Sequence, residues 1–497
     1  SFSTSFQNKT FRLYARSEYD AKSSFNYPFF GPDNSSSFKR LLLRNSGNDA
    51  GVRWIGVALV HTISPAVYFR DALIQKMVSH MRMDTQDYMP VVTYVNGEYW
   101  GILNLRERYD EHYLERKYGI QESELELLEA NAGVKVGSNA HYLMMRDFLS
   151  SNNMATNANY DYVKTLMDIE NFMDYQIAEI YARNTDWPGN NIDYFRKKTT
   201  AYEPNAPKGQ DGRWRWLLFD TDHGFGWTGG QSYTHNSLQS ASNGSNWSTL
   251  ILNKLLENPS FKNDFINRYA DMLNTAFLPQ RVNQLINEMA GTISDEIPSH
   301  QNRWNALPDW ADNVELMRQF AQLRPDNARS HIRSRFKISR NIMATLNVSD
   351  EAQGFIRINT IDINESTPGV AAHPYPWSGI YFQDVPITLT AVSKPGYQFS
   401  HWSGASTSTD PSIALKPTGN LAITAHFIES ENTAPELVYF WLFDNRIAND
   451  TPLEQLTATY PTGTTNARIS FLSSQGEGYP FTSTHASWRK GSMERRN

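Results

Sequence analysis

At 497 residues, with 20% charged and 13% aromatic side chains, the chain carries enough apolar surface for two to four packed domains and no sign of general disorder. A formal net charge of -6, with no Lys/Arg run long enough to track phosphates, argues against a nucleic-acid-binding protein. The absence of cysteine excludes disulfides, thiolate metal sites and cysteine nucleophiles, and no apolar run reaches the length of a membrane span.

In chain order, Ser1-Phe2-Ser3-Thr4 lacks the basic start and apolar core of a signal peptide. Phe11 to Arg16 and Arg40 to Arg44 read as strands of a small sheet. From Ser64, the positions Val67, Tyr68, Leu73, Ile74, Met77, Val78 and Met81 recur at helical spacing, with Ser64-Pro65 as cap and first turn. The Arg70-Asp71 pair on that helix reads as structural. Pro90 to Val95, the turn Asn96-Gly97 and Glu98 to Leu105 form a hairpin. Helices are expected after Asp110 as far as Tyr118, near Ala140 to Leu149, and from Asp168 to about Arg183. The last of these presents Ile169, Phe172, Met173, Ile177, Ile180 and Tyr181 as a buried stripe.

That rigid helix delivers Asn184-Thr185-Asp186-Trp187-Pro188-Gly189-Asn190-Asn191, which cannot continue as helix because Pro188 lacks a donor and Gly189 frees the backbone. Two strand-like runs follow, Ile192 to Arg196 and Arg213 to Phe219, the second ending in Asp220-Thr221-Asp222-His223-Gly224. The hairpin they predict has acids at both open ends, so Asp186, Asn191, Asp220 and Asp222 can converge on one point. Hard cations such as magnesium take oxygen ligands of this kind, and phosphoryl transfer needs a positioning carboxylate plus an Asn and an Asp on the metal. Protein kinases use the same order, Asp, four residues, Asn, a strand pair, then Asp-x-Gly. Either a metal-phosphate site or a solvated Asp-rich turn satisfies the pattern alone. His223 and His235 lack metal-ligand spacing and read as ordinary hydrogen-bonding groups. Gly229 to Trp247 is a polar stretch, either a mobile segment over the site or a substrate-facing loop.

Residues 248 to about 345 read as amphipathic helices, with core stripes at Phe261, Phe265, Ile266, Tyr269, Met272 and Leu273 and again at Val282, Leu285, Ile286 and Met289. From Gly354 short strands take over, including Phe355 to Ile358, Ile380 to Phe382, Val385 to Val392 and Leu421 to Phe427. An aromatic, strand-like run, Leu437 to Phe443, lies in the last segment.

Several of these stretches together resemble the CotH family of spore-coat and secreted proteins: Lys9 to Leu13, Val95 to Glu107, Asn184 to Asn191, Leu218 to Asp222, and Asn258 to Lys262 running on to Phe265 to Leu273. Pro395 to Phe399 with Trp402-Ser403-Gly404 resembles an internalin-type B-repeat. The resemblance implies an α+β fold, with an atypical protein-kinase-like two-lobed domain followed by small all-β domains. The expected divisions are an amino-terminal lobe over 1-110, which either starts just inside the family's first lobe or differs from it there, and a helical lobe with the catalytic loop over 111-348. A B-repeat-like domain over 352-429 and a strand-rich segment over 431-497, either whole or cut short, follow.

The activity implied is phosphorylation of a protein substrate with ATP and Mg2+ (or Mn2+). Asp186 would serve as base or hydroxyl-orienting group, with Asn191 and Asp220 or Asp222 as metal ligands. Lys9 is the candidate cation over the phosphates, with Arg12 or Lys39 as substitutes, and Glu107 would meet the nucleotide, pair with that cation, or form a surface ion pair. No glycine-rich phosphate loop precedes Lys9. An extracytoplasmic location follows from the resemblance, with a cell-surface partner for the carboxy-terminal β domains. An inactive kinase-like scaffold and nucleotidyl transfer from ATP are the alternatives.

Overall fold

The computed structural model describes residues 6-32, 35-55, 58-61, 65-244 and 246-430, with the short strand pair Trp488–Arg489 and Ser492–Met493. The strand expected over Leu437 to Phe443 lies outside the described residues. Helices and sheets are mixed throughout, and a sheet domain closes the described chain.

The first sheet is antiparallel, in the order Phe11–Tyr14, Arg40–Arg44, Glu98–Glu107, Tyr88–Val95. Side chains alternate across a strand, so the register sorts them into two unlike faces. Leu13, Leu41, Leu43 and Leu105 pack with Phe25, Phe29, Phe30 and Phe38 on one. On the other, Leu42 lies between Arg12 and Arg106, with Arg40 and Arg44 two positions to either side of it. The hairpin turn is as expected, with Asn96 at φ 52° and Gly97 at φ 84°.

The helix expected from Ser64 begins later, at Arg70–Val78. Tyr68 has φ 78°, which breaks any earlier helical turn. The buried Asp49 carboxylate accepts the Val67 and Arg70 amides at 2.9 and 3.0 Å, so a distant acid holds the start; Ser64, the expected cap, lies outside the described residues. Arg70 is fully buried and donates to Asp49 and to the Gly224 and Phe225 carbonyls, joining this helix to the stretch after Asp222.

A second antiparallel sheet runs Gly133–Val136, Leu125–Glu129, Asp193–Lys197, Arg215–Leu217. The expected hairpin is therefore present, with its second strand shortened to three residues. The helix Ile169–Ala182 is buried at nearly every position, and Asp168 caps its start by accepting the Asn171 amide at 3.1 Å. At its other end the buried Arg324 guanidinium donates to the Ile180 and Tyr181 carbonyls at 2.8 and 3.0 Å. A cation on these last carbonyls suits the negative end of the helix. The same guanidinium holds the Tyr233 and His235 carbonyls, which pins part of the polar stretch expected to be a mobile or substrate-facing loop.

The closing domain holds two four-stranded sheets. Asn341–Val348 is an inner strand of one of them, antiparallel to Trp377–Phe382 and parallel to Leu421–Glu429. The helical block thus ends at Phe336, short of the expected 345, and Asn341–Val348 is a strand where helix was expected to continue. Alternating burial along Asn341–Val348 carries a strand signal that the helical stripes upstream had masked.

This domain is joined to the helix Pro259–Leu273 through polar contacts. Asp271, fully buried, accepts from Asn359 Nδ2, Thr360 N, Thr360 Oγ1 and Tyr381 OH at 2.7 to 3.1 Å. Asn274 exchanges two hydrogen bonds of 2.9 Å with the Ile380 backbone, and Asn267 donates to the Pro386 carbonyl at 2.7 Å. Arg268 links Thr360 to Asp174 on the Ile169–Ala182 helix.

Candidate functional site

The loop after Ala182 opens with Arg183 in the left-handed conformation, φ 55°. It is tied to the Asp222 segment by Thr185 N donating to the His223 carbonyl at 3.4 Å and Phe225 N to the Ala182 carbonyl at 2.6 Å. Asn184 Oδ1 accepts the Asp186 amide at 3.2 Å. Asp186 Oδ2 then accepts from Asn190 and Asn191, both at 3.0 Å, and Asn191 Nδ2 also reaches the Asp220 carbonyl at 3.3 Å. Asn191 and Asp220 have φ 54° and 55°, a strained region for side-chain-bearing residues that clusters at functional sites.

From the other side comes Arg44, at the end of its strand. One guanidinium nitrogen meets both Asp220 and Asp222, and the other reaches Asp71 at 3.3 Å. Asp71 also takes Arg106 at 2.6 Å and accepts the Thr221 amide and hydroxyl, each at 2.9 Å. Asn48 donates its backbone amide to Asp222 at 2.9 Å. Gly47, φ 59°, makes this possible: a Cβ there would lie 2.3 Å from Asp222 Oδ2 and 2.8 Å from Arg44 Nη2.

The charges explain the titration behaviour. Burial pushes the Asp222 carboxyl well up and Asp220 adds to it, while Arg44 pulls back. Asp71 is pulled the other way: burial opposes its charge, but Arg106 and Arg44 outweigh burial and hold it well below the usual range. Burial likewise opposes the Arg44 charge, yet Asp220, Asp71 and Asp222 keep it firmly protonated.

The structure thus brings Asp186, Asn191, Asp220 and Asp222 together. It does not bring Lys9 and Glu107 to them. Lys9 is exposed on the run into the first strand, and the cation that reaches the acids is Arg44. Glu107 pairs in register with Leu41, so it belongs to the face away from Arg44 and Arg106; there it is buried against Arg116 and accepts the Asp87 amide at 3.2 Å. Of the three readings kept open for Glu107, only the ion pair matches this placement, with the acid buried and Arg116 partly exposed.

Arg44, Asp71, Arg106 and Asn48 were missed as site residues. Arg44 alternates with Arg40 on one strand face, and Ser46-Gly47-Asn48 is a turn signal directly after it. Asp71 had no such signal, since its role depends on a strand and a loop far away in sequence.

Asp186, Asp220 and Asp222 offer hard oxygen donors of the kind a divalent cation takes, and among the described residues Arg44 and Arg106 are the cations paired with the Asp71, Asp220 and Asp222 group. Among the described residues no three acidic or histidine side chains already enclose a metal-sized position. A metal held here would need Asn191 to complete the set and Arg44 to release Asp220 or Asp222. No helix among the described residues is long and apolar enough to cross a membrane.

Comparison with known proteins adds three findings. Residues 360–431 match the divergent InlB B-repeat domain. Among curated proteins no relative matches. Residues 1–328, about two thirds of the chain and the whole of the site, match the family described as CotH kinase protein, and the chain belongs to that family.

Proposed function

We propose that residues up to Phe336 form a kinase-like, two-lobed unit that transfers the γ-phosphoryl group of ATP to a hydroxyl of a protein substrate, with Mg2+ or Mn2+. The observation that carries this reading is the joining of Asp186 and Asn191 to Asp220 and Asp222 beneath the arginine face of the first sheet. A triphosphate and its metal need such a place, with cationic side chains above and hard oxygen donors below.

Asp186 is partly exposed on its loop and takes the proton of the acceptor hydroxyl. The acceptor oxygen bonds to the γ-phosphorus as the bond to the bridging β,γ-oxygen breaks, and ADP leaves. Asn191, Asp220 and Asp222 would hold the metal, which neutralises charge on the phosphates when bound. Arg44 turns from the acids to the phosphates, while Asp71 and Arg106 keep its backbone end of the cleft in register. CotH membership and the B-repeat suit an exported protein, with the β domain facing a surface partner.

A second reading has an observation of its own. Arg44 already pairs with both Asp220 and Asp222, which is how an inactive scaffold would neutralise its acids. Incubating the chain with γ-labelled ATP, Mg2+ and casein as a mixed acceptor separates the cases. Label on casein or on the chain itself supports the kinase. ATP binding without label supports the scaffold, and an AMP adduct in the mass spectrum overturns phosphoryl transfer in favour of nucleotidyl transfer.

A further inference from the structure

One acid behind the cleft has no part in the reaction just described. Glu179 lies in the last turn of Ile169–Ala182 and is wholly buried, 0% exposed. Its backbone carbonyl accepts the Asn184 amide at 3.3 Å, at the foot of the Asp186 loop. Neither carboxyl oxygen has a hydrogen-bond partner among the described residues, and neither does Nδ2 of the buried Asn184. The Asn184 side chain lies close enough to the carboxyl to favour its charged form, though no formed hydrogen bond joins the two.

Asn184 is therefore a link with one end made and one end open. Its Oδ1 already holds the Asp186 backbone amide, and its Nδ2 faces an acid with free acceptors. Burial pushes the Glu179 carboxyl well up, the Asn184 side chain draws it back, and Asp71, Asp220 and Asp186 add to the rise, so its surroundings favour the uncharged carboxyl, a group that can both donate and accept. As packing alone, an unpartnered acid here only costs stability; methionine would fill the space better. Hydrogen bonds in unloaded sites are often long and tighten once the substrates are bound.

We propose that Glu179 is a positioning residue: its carboxyl receives the Asn184 amide as the site closes and thereby fixes where Asp186 stands. This rests on the reading of the cleft as a phosphoryl-transfer site. Glu179 touches no reacting group and acts only through Asn184.

The test compares Glu179→Gln, Glu179→Met and Asn184→Ala in the full chain, by phosphoryl transfer and by hydrogen exchange of the 185-191 amides. Glu179→Gln keeps an uncharged polar group and is expected to keep kcat within about threefold, with unchanged exchange. Glu179→Met is expected to melt no lower than the parent yet lose about 10²-fold in kcat at an unchanged KM for ATP, with faster exchange confined to the loop. Asn184→Ala should reproduce the methionine pattern. Parent-like kcat and exchange in Glu179→Met overturn the proposal, and so does a Gln variant as impaired as the Met variant, because then the charge is what matters. If the parent itself transfers no phosphate, the kinase reading fails, and the exchange comparison alone still decides for or against Glu179.

Discussion

Asp271 and Asp222 are both buried aspartates, and they are held in opposite ways. Asp271 has four donors of its own from three residues of the β domain. Asp222 has Asn48 and a share of Arg44, and that one guanidinium also serves Asp71 and Asp220. A carboxylate with dedicated donors is a joint, because moving it breaks several bonds at once. Acids that must share one cation are less fully compensated, which is what the proposed metal and triphosphate would need. The comparison separates structure from function without appeal to burial, which is nearly the same for both.

Breaking the two sides separately should give opposite results. The largest effect is expected from Asp222→Ala: phosphoryl transfer falls by about 10³-fold or more, while denaturant unfolding shifts by no more than about 1 kcal/mol. Asp271→Ala should do the reverse. It strands the Asn359, Thr360 and Tyr381 donors, so unfolding is expected to lose about 3 kcal/mol, with kcat within a few-fold of the parent well below the melting temperature. A large loss of kcat without a loss of stability in Asp271→Ala would erase the distinction.

A smaller effect concerns His300, which joins the helix Ile297–Trp304 to the first sheet. It is neutral, its Nδ1 accepting the Ile102 amide at 3.0 Å, and burial pushes its pKa down to about 4. The unfolded chain, at an ordinary pKa of about 6.5, takes up the proton first. The stabilisation is therefore complete above about pH 6.5 and is lost as pH falls toward 4. Between pH 7 and 5 this amounts to roughly 2 kcal/mol. His300→Asn retains an acceptor without the titration, and its melting temperature should fall less steeply over that interval. Smallest is Gly47→Ala, which forces a Cβ against Asp222 and Arg44 at a positive φ. A stability loss of about 1 kcal/mol is expected, with a weaker response to ATP and Mg2+ in a thermal-shift assay.

Much of the cleft was legible because it is local. Asp186 to Asn191 is one loop, Asp220 and Asp222 are one strand end, and the hairpin between them follows from residue type and spacing. The cation was not legible. Which basic residue faces the acids is decided by strand parity in a sheet assembled from distant segments, and that parity selects Arg44 and Arg106 and sends Glu107 to the opposite face. The start of the Arg70–Val78 helix failed for a related reason, because its capping acid, Asp49, lies some twenty residues upstream on another element. The strand Asn341–Val348 was absorbed into the helical block, since its pairing partners come later in the chain. The polar seam at Asp271 had no local signature: on the helix it lies among Tyr269, Met272 and Leu273, all buried as the stripe predicts.

Calorimetric titration of ATP into the full chain, with and without Mg2+, and into Asp222→Ala, tests the central claim most directly. The account predicts binding that requires the metal and disappears in the variant. ATP binding of equal strength without metal, or undiminished in Asp222→Ala, would contradict it.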